Sequence, residues 1–164
     1  MKAAIVMGSK SDYPVVERTE KILKDFGVAH ETRVISAHRT PRAAEEFASR
    51  AEERGIEVIV AAAGKAAHLA GVLAAHTALP VIGLPIKSST LNGLDSLLST
   101  VQMPKGVPVA TVAIDGAENA GLLAVQILSV KYEELRRRVK AHKDALAKEV
   151  EAADAAFNRR TSEA

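Results

Sequence analysis

The chain has no cysteine, no tryptophan, and only two tyrosines and three phenylalanines. Without thiols there can be no disulfide framework, thiolate metal site or cysteine nucleophile. At 3% aromatic residues there are too few rings for the stacking platforms that single-stranded nucleic acid needs, so the core must be packed from Ala, Val, Leu and Ile. An excess of one charge is missing too: 22 Lys and Arg stand against 20 Asp and Glu, a formal net charge of +2. So even a balance offers neither nucleic acid nor a membrane surface a strongly charged face. No apolar run reaches the roughly 20 residues that cross a bilayer, because Lys65, His68 and His76 interrupt the most apolar stretch. Met1-Lys2-Ala3-Ala4-Ile5-Val6-Met7 leads straight into a strand-like segment without the longer apolar stretch and cleavage site of a signal peptide. A cytoplasmic address is expected, and 164 residues fit one domain.

Metal-ligand spacing is also lacking. His30, His38, His68, His76 and His142 form no His-x-x-x-His pair, and no carboxylates cluster with them, so no metal is expected. The Gly-x-Gly-x-x-Gly and Gly-x-x-x-x-Gly-Lys-Ser/Thr loops are both absent, which argues against a dinucleotide or a nucleoside triphosphate. A smaller phosphorylated substrate is expected.

What is present is alternation. Short β-branched or apolar runs recur at Ala3 to Met7, Arg33 to Ile35, Val58 to Ala62, Val81 to Leu84 and Val109 to Ile114, each followed by helical spacing. That pattern predicts an α/β fold, a five-stranded parallel sheet with helices on both faces. The first helix carries Val15, Val16, Ile22, Leu23 and Phe26 on one face, with Pro14 in its first turn and Gly27 at its stop. A second runs from the capping residue Thr40 and Pro41 to Arg54-Gly55, and others cover Ala66 to Thr77, Gly93 to Val101 and Glu118 to Ser129. Residues 1–130 then make a single catalytic unit, and 131–164 differ in kind. There Leu135, Val139, His142, Leu146, Val150, Ala153 and Phe157 recur three or four residues apart, predicting one long amphipathic helix that ends in a frayed tail from Arg159 to Ala164. A sheet already covered on both faces leaves that stripe a neighbouring subunit to pack on, so a homo-oligomer is expected; packing along its own sheet edge is the alternative.

In an open parallel sheet, ligands bind where strands pass into helices at their carboxyl ends. The first such turn is Gly8-Ser9-Lys10-Ser11-Asp12. Ser9, Ser11 and free amides at the helix start can surround a phosphate, whereas Asp12 repels one and suits sugar hydroxyls. Ser11 or Asp12 as a plain helix cap is the competing reading. The second turn, Ser36-Ala37-His38-Arg39-Thr40-Pro41, supplies a guanidinium that can grip phosphate bidentately and an imidazole suited to moving protons near neutral pH. A strand-end histidine and a surface ion pair compete with that. The third, Gly64 to Gly71, has small residues that let backbone approach a ligand, with Lys65 and His68 its titratable groups. The fourth, Ile86 to Gly93, is rich in hydroxyls and suited to covering a site.

Met7 to Asp12, Ser36 to Pro41, Ala66-Ala67-His68-Leu69, Asn92 to Leu97, Val101-Gln102-Met103-Pro104 and Asn119 to Ala124 together resemble, in order, the N5-carboxyaminoimidazole ribonucleotide mutase (PurE) family of purine biosynthesis. The resemblance implies a flavodoxin-like three-layer α/β/α fold and an octamer in which the C-terminal helix embraces a neighbour. It implies a carboxylate shift from an exocyclic nitrogen to ring carbon C4, with no metal and no organic cofactor. It further implies His38 and His68 as catalytic residues, Ser9, Ser11 and Arg39 around the phosphate, Asp12 on the ribose, Gly64, Lys65 and Leu69 beside the base and carboxylate, and Ser36 as a further substrate-binding residue. The third loop departs from the family pattern Ala-Gly-Ala-Gly-Gly-Ala-Ala-His-Leu-Pro-Gly at Ala62, Lys65 and Ala70. A left-handed backbone at Lys65 would cost about 1 kcal/mol relative to glycine. Its amine either holds carboxylate or points to solvent. Competing functions are the related carboxylase that uses free carbon dioxide and a non-catalytic flavodoxin-like module. The strand-end loops lack the clustered acids of a phospho-receiver and the aromatics of a flavin binder.

Overall fold

A computed structural model describes residues 1–162. Five parallel strands, β1 (Lys2–Met7), β2 (Ala29–Val34), β3 (Val58–Gly64), β4 (Val81–Ile86) and β5 (Ala110–Thr111), form one sheet in the order β2-β1-β3-β4-β5. The helices are α1 (Tyr13–Asp25), α2 (Pro41–Ser49), α3 (Leu69–Ala75), α4 (Leu94–Val101), α5 (Ala117–Ser129) and α6 (Glu133–Ser162). This is the flavodoxin-like architecture expected.

The central strands are buried on both faces, which is why they read as unbroken apolar runs. Ala3, Ile5 and Met7 of β1 join Val58, Val60 and Ala62 of β3 and Ile82 and Leu84 of β4 in a core layer under α1 and α5. Ala4, Val6, Ile59 and Ala61 face the opposite layer, with Phe47 of α2 and Leu73 of α3. In the first layer α1 and α5 pack very closely. A Cβ on Gly121 would lie 2.8 Å from Ile22 Cβ and 3.2 Å from the Thr19 carbonyl oxygen, and the buried Thr19 hydroxyl donates to the Ala117 carbonyl at 2.8 Å.

Several boundaries move from their sequence-based positions. β2 starts at Ala29 rather than Arg33 because it is the sheet's edge strand, half-exposed and polar, and carries no apolar run. β5 keeps only two residues of the Val109 to Ile114 stretch. The second helix closes at Ser49 and is followed by a short 3-10 turn, Glu52–Arg54, which ends on left-handed Gly55. Thr40 sits at the start of α2 but makes no side-chain bond to it. Its hydroxyl instead closes the preceding turn, accepting from the Ser36 amide at 3.0 Å and donating to the Ser36 carbonyl at 2.9 Å.

The long helix is present but divides its apolar stripe. Leu135 is 1% exposed in the α1–α5 core layer, and Val139 packs partly against it. His142 stacks edge-on against Phe26, with ring centroids 5.6 Å apart. The first turns of α6 therefore pack on their own domain, correcting the expectation that the whole stripe serves a neighbour. Farther along, Leu146 and Val150 are exposed. The helix runs on to Ser162, through most of the stretch expected to fray; 163–164 lie outside the described residues. Among the described residues no helix is long and apolar enough to cross a membrane.

Candidate active site

Strand order fixes where a site can form. With β1 central and the chain stepping first to β2 and then back across to β3, the β1 and β3 loops diverge and leave a crevice at their carboxyl ends. A cleft of about 600 Å³ opens there, lined from four strand ends. Ser9, Ser11, Asp12, Ser36, His38, Arg39, Gly64, Lys65 and Leu69 all line it. His68 does not: it stands at the rim, lining a neighbouring groove with His76 and Met103.

The β1 loop is held by its own polar groups. The Ser9 side chain accepts from the Ser11 amide at 3.3 Å, and the Asp12 carboxylate accepts from the Ser9 amide at 3.2 Å, a capping box on the 3-10 turn that precedes α1. The Ser11 hydroxyl donates to Ser9 Oγ at 2.8 Å. The cap is therefore made by Ser9 on the 3-10 turn rather than by Ser11 or Asp12 on α1, where Asp12 makes no side-chain cap bond, and the same residues line the cleft. Asp12 is 9% exposed, and burial raises its carboxyl above the ordinary 3.8, against the lowering bonds from the Ser9 amide and the Ser11 hydroxyl.

Arg39 bridges two loops. Its Nη2 donates to the Gly8 carbonyl at 3.1 Å, while its Nε and amide donate to Ser36 Oγ at 3.3 and 3.2 Å. The guanidinium is thus held beside the serine hydroxyls of the β1 loop, with donors to spare. His38 Nε2 lies 2.9 Å from His68 Nδ1, the rings meeting edge-to-face at 83°. One ring must donate and the other accept, so protonation of one is coupled to the tautomer of the other.

The β3 loop explains why α3 begins at Leu69 rather than Ala66. Lys65 adopts a left-handed backbone with φ of 56°, and tight bonds from the Ala67 amide to the Lys65 carbonyl and from the His68 amide to the Ala66 carbonyl, each 2.9 Å, replace a helical turn. This turn delivers His68 to His38. The other non-glycine residues with positive φ, Leu91, Asn92 and Asp115, also follow strand ends on this side of the sheet. Among the described residues, left-handed non-glycine backbone is thus confined to the loops at the carboxyl end of the sheet, and Lys65 is the one such residue that lines the cleft.

The β4 loop, expected as a whole to cover a site, lends the cleft residues that were given no individual role: Ile86, Lys87, Ser88 and Ser89 line it. Its hydroxyl content was the available signal. Its anchors were not legible, because they lie far off in sequence. The Lys87 amide donates to Asp115 Oδ1 at 2.8 Å, and the Ser88 hydroxyl contacts both Asp95 carboxylate oxygens at 2.8 and 2.9 Å. Among the described residues no group of three or more His, Asp or Glu side chains could hold a metal.

Residues 2–149 match the AIR carboxylase family model. A protein of Pyrococcus abyssi called N5-carboxyaminoimidazole ribonucleotide mutase is 63% identical over 143 residues, covering 87% of this chain and 82% of the relative. The Thermotoga maritima protein of the same name is 58% identical over 149 residues, covering 91% and 87%. The crystal structure of Treponema denticola PurE superposes with a TM-score of 0.84 at 27% identity, covering 94% of this chain and 96% of that one.

Proposed function

This chain belongs to the AIR carboxylase family, and on that premise we propose that its cleft interconverts N5-carboxyaminoimidazole ribonucleotide and 4-carboxy-5-aminoimidazole ribonucleotide in purine (IMP) biosynthesis. It is then an isomerase of the mutase type. The observation that carries the residue assignment is the meeting of His38 with the Arg39 bridge in one cleft, where His68 reaches His38 from the rim.

Each part of the substrate has a matching part of the cleft. The phosphate, carrying about two negative charges, is placed against Arg39, Ser9, Ser11 and Ser36, and Asp12 accepts from the ribose hydroxyls. Gly64, Lys65 and Leu69 flank the base. The carbamate C–N bond breaks with its electron pair left on nitrogen, which takes up a proton as carbon dioxide forms. Ring carbon C4 then supplies the pair for a new C–C bond to that carbon dioxide, and its proton leaves. One proton is taken up and one is released, so a single acid/base can return to its starting state. His38 is assigned that role, and His68, 2.9 Å away, fixes its tautomer. Holding carbon dioxide beside C4 makes the second step effectively intramolecular.

Replacing His38 with Asn should lower turnover by about 10³-fold while binding of 4-carboxy-5-aminoimidazole ribonucleotide changes only a few-fold. An active His38→Asn enzyme would overturn the assignment. Preference for aminoimidazole ribonucleotide plus bicarbonate over the carbamate would replace the mutase with the carboxylase.

The exposed Leu146 and Val150 support a homo-oligomer, an octamer on the family's pattern, in which residues 1–130 carry catalysis and the far half of α6 clasps a neighbour. A cytoplasmic location fits such an assembly. Sedimentation of a monomer at micromolar concentration would remove the assembly reading.

A further inference from the structure

The cleft holds more positive charge than a phosphate uses. Arg39, Lys65 and Lys87 line it against one carboxylate, Asp12, and none of the three cations has an ion pair among the described residues. Arg39 is fixed on the β1–β2 side by the Gly8 carbonyl and Ser36, next to the serine hydroxyls. The cations of the β3–β4 side are left for the substrate's other anion, its carboxylate.

Lys65 is the better placed of those two. It occupies the turn whose bonds deliver His68 to His38, so it shares a loop with one member of the histidine pair and lines the same cleft as the other. Its conformation is one that glycine adopts freely and lysine does not. Two of the other three left-handed residues carry their own explanation: the Asp115 side chain accepts from the Lys87 amide, and Asn tolerates this region. Lys65 has no such bond, and it is an exposed residue that lines the cleft.

We propose that the Lys65 ammonium grips the migrating carboxylate and suppresses escape of carbon dioxide. This rests on the mutase reading above. Both carboxylated ribonucleotides bear a negative charge at this point, whereas carbon dioxide is neutral. A fixed cation therefore stabilises the carboxylate that develops as C4 attacks, and does nothing for carbon dioxide on its way out. Recapture gains over leakage, and no bond to Lys65 itself forms or breaks.

The test follows label and affinity together. 4-Carboxy-5-aminoimidazole ribonucleotide carrying ¹³C in its carboxylate is turned over in unlabelled bicarbonate, with the parent enzyme and with Lys65→Gly, Lys65→Gln and Lys65→Arg. Lys65→Gly and Lys65→Gln should lose label and release aminoimidazole ribonucleotide about tenfold more per turnover, as expected for one charged contact. They should bind the carboxylated ribonucleotide about tenfold more weakly while binding aminoimidazole ribonucleotide unchanged, and Lys65→Arg should restore both. Lys65→Gly relieves the left-handed strain, so its leakage cannot be ascribed to a damaged fold. A working parent matched by Lys65→Gly and Lys65→Gln in label retention and affinity overturns this inference alone. A parent without turnover overturns the mutase reading and this inference with it.

Discussion

The two ends of the sheet treat charge in opposite ways. Around the amino ends of the strands, charges are matched: Lys2 Nζ lies 2.7 Å from Glu31, Arg54 Nε 3.5 Å from the same carboxylate, and Glu57 meets Lys131 at 2.8 Å and the terminal amine at 3.6 Å. At the carboxyl ends Arg39, Lys65 and Lys87 have no carboxylate partner among the described residues, and backbone strain gathers at Lys65, Leu91, Asn92 and Asp115. Matched charge serves the fold alone. Unmatched charge beside strained backbone is a cost that folding does not require, and a ligand of opposite sign is what offsets it.

The contrast predicts that a cation at the carboxyl end matters to substrate far more than to stability. Arg39→Ala should lower kcat/KM about 100-fold, mostly through KM, as expected from roughly 2.7 kcal/mol for lost charge-assisted bonds to phosphate. Arg39→Lys should recover only part of it, since an ammonium cannot reproduce the fork. Steady-state kinetics and a melting curve on the same samples check this. An unchanged KM would make Arg39 a strap between the Gly8 and Ser36 loops and nothing more.

How legible each end was follows from the range of its interactions. Apolar runs and Pro or Gly punctuation revealed β1, β3, β4 and α1, because burial on two faces and helix ends are written locally. The edge strand β2 and the two-residue β5 lacked that local imprint. In the cleft, residue type at strand ends was enough to nominate Ser9, Asp12, His38 and Arg39. That His68 would touch His38 while standing outside the cleft, or that Ser88 would be tied to Asp95 and Lys87 to Asp115, depends on how loops from different strands meet. α6 was half legible: its period gave the helix, but the packing of Leu135 on the α1–α5 layer needed the assembled fold.

A change remote from both ends should show the complementary behaviour, stability without specificity. Gly121→Val places side-chain atoms where a Cβ alone already comes within 2.8 Å of Ile22. Forcing α1 and α5 apart should cost about 1–3 kcal/mol, lowering the melting temperature by about 2–4 °C per kcal/mol for a chain of this size. KM of the remaining folded enzyme should hold. A raised KM at unchanged stability would mean that the α1–α5 packing sets the geometry of the β1 loop.

The smallest effect is also the most direct comparison of the two ends, because it asks two carboxylates the same question. Glu31, at the paired end, is held below its ordinary 4.5 chiefly by the Lys2 hydrogen bond, against partial burial. A depressed folded value means a contribution present above 4.5 and lost as pH falls through that value toward the folded one. Asp12, in the cleft, is raised above 3.8 by burial, so its folded form binds a proton more readily than the unfolded chain. Its share of stability is present below 3.8 and is lost as pH rises from there through the folded value. Urea titrations from pH 6 to 3 should therefore give opposite trends. The parent's advantage over Glu31→Gln, about 0.5 kcal/mol near neutrality as for other part-exposed ion pairs, should shrink on acidification. Its stability relative to Asp12→Asn should grow. Parallel trends would show that the Asp12 carboxylate is as well compensated as Glu31, and that the cleft's imbalance lies in its cations alone.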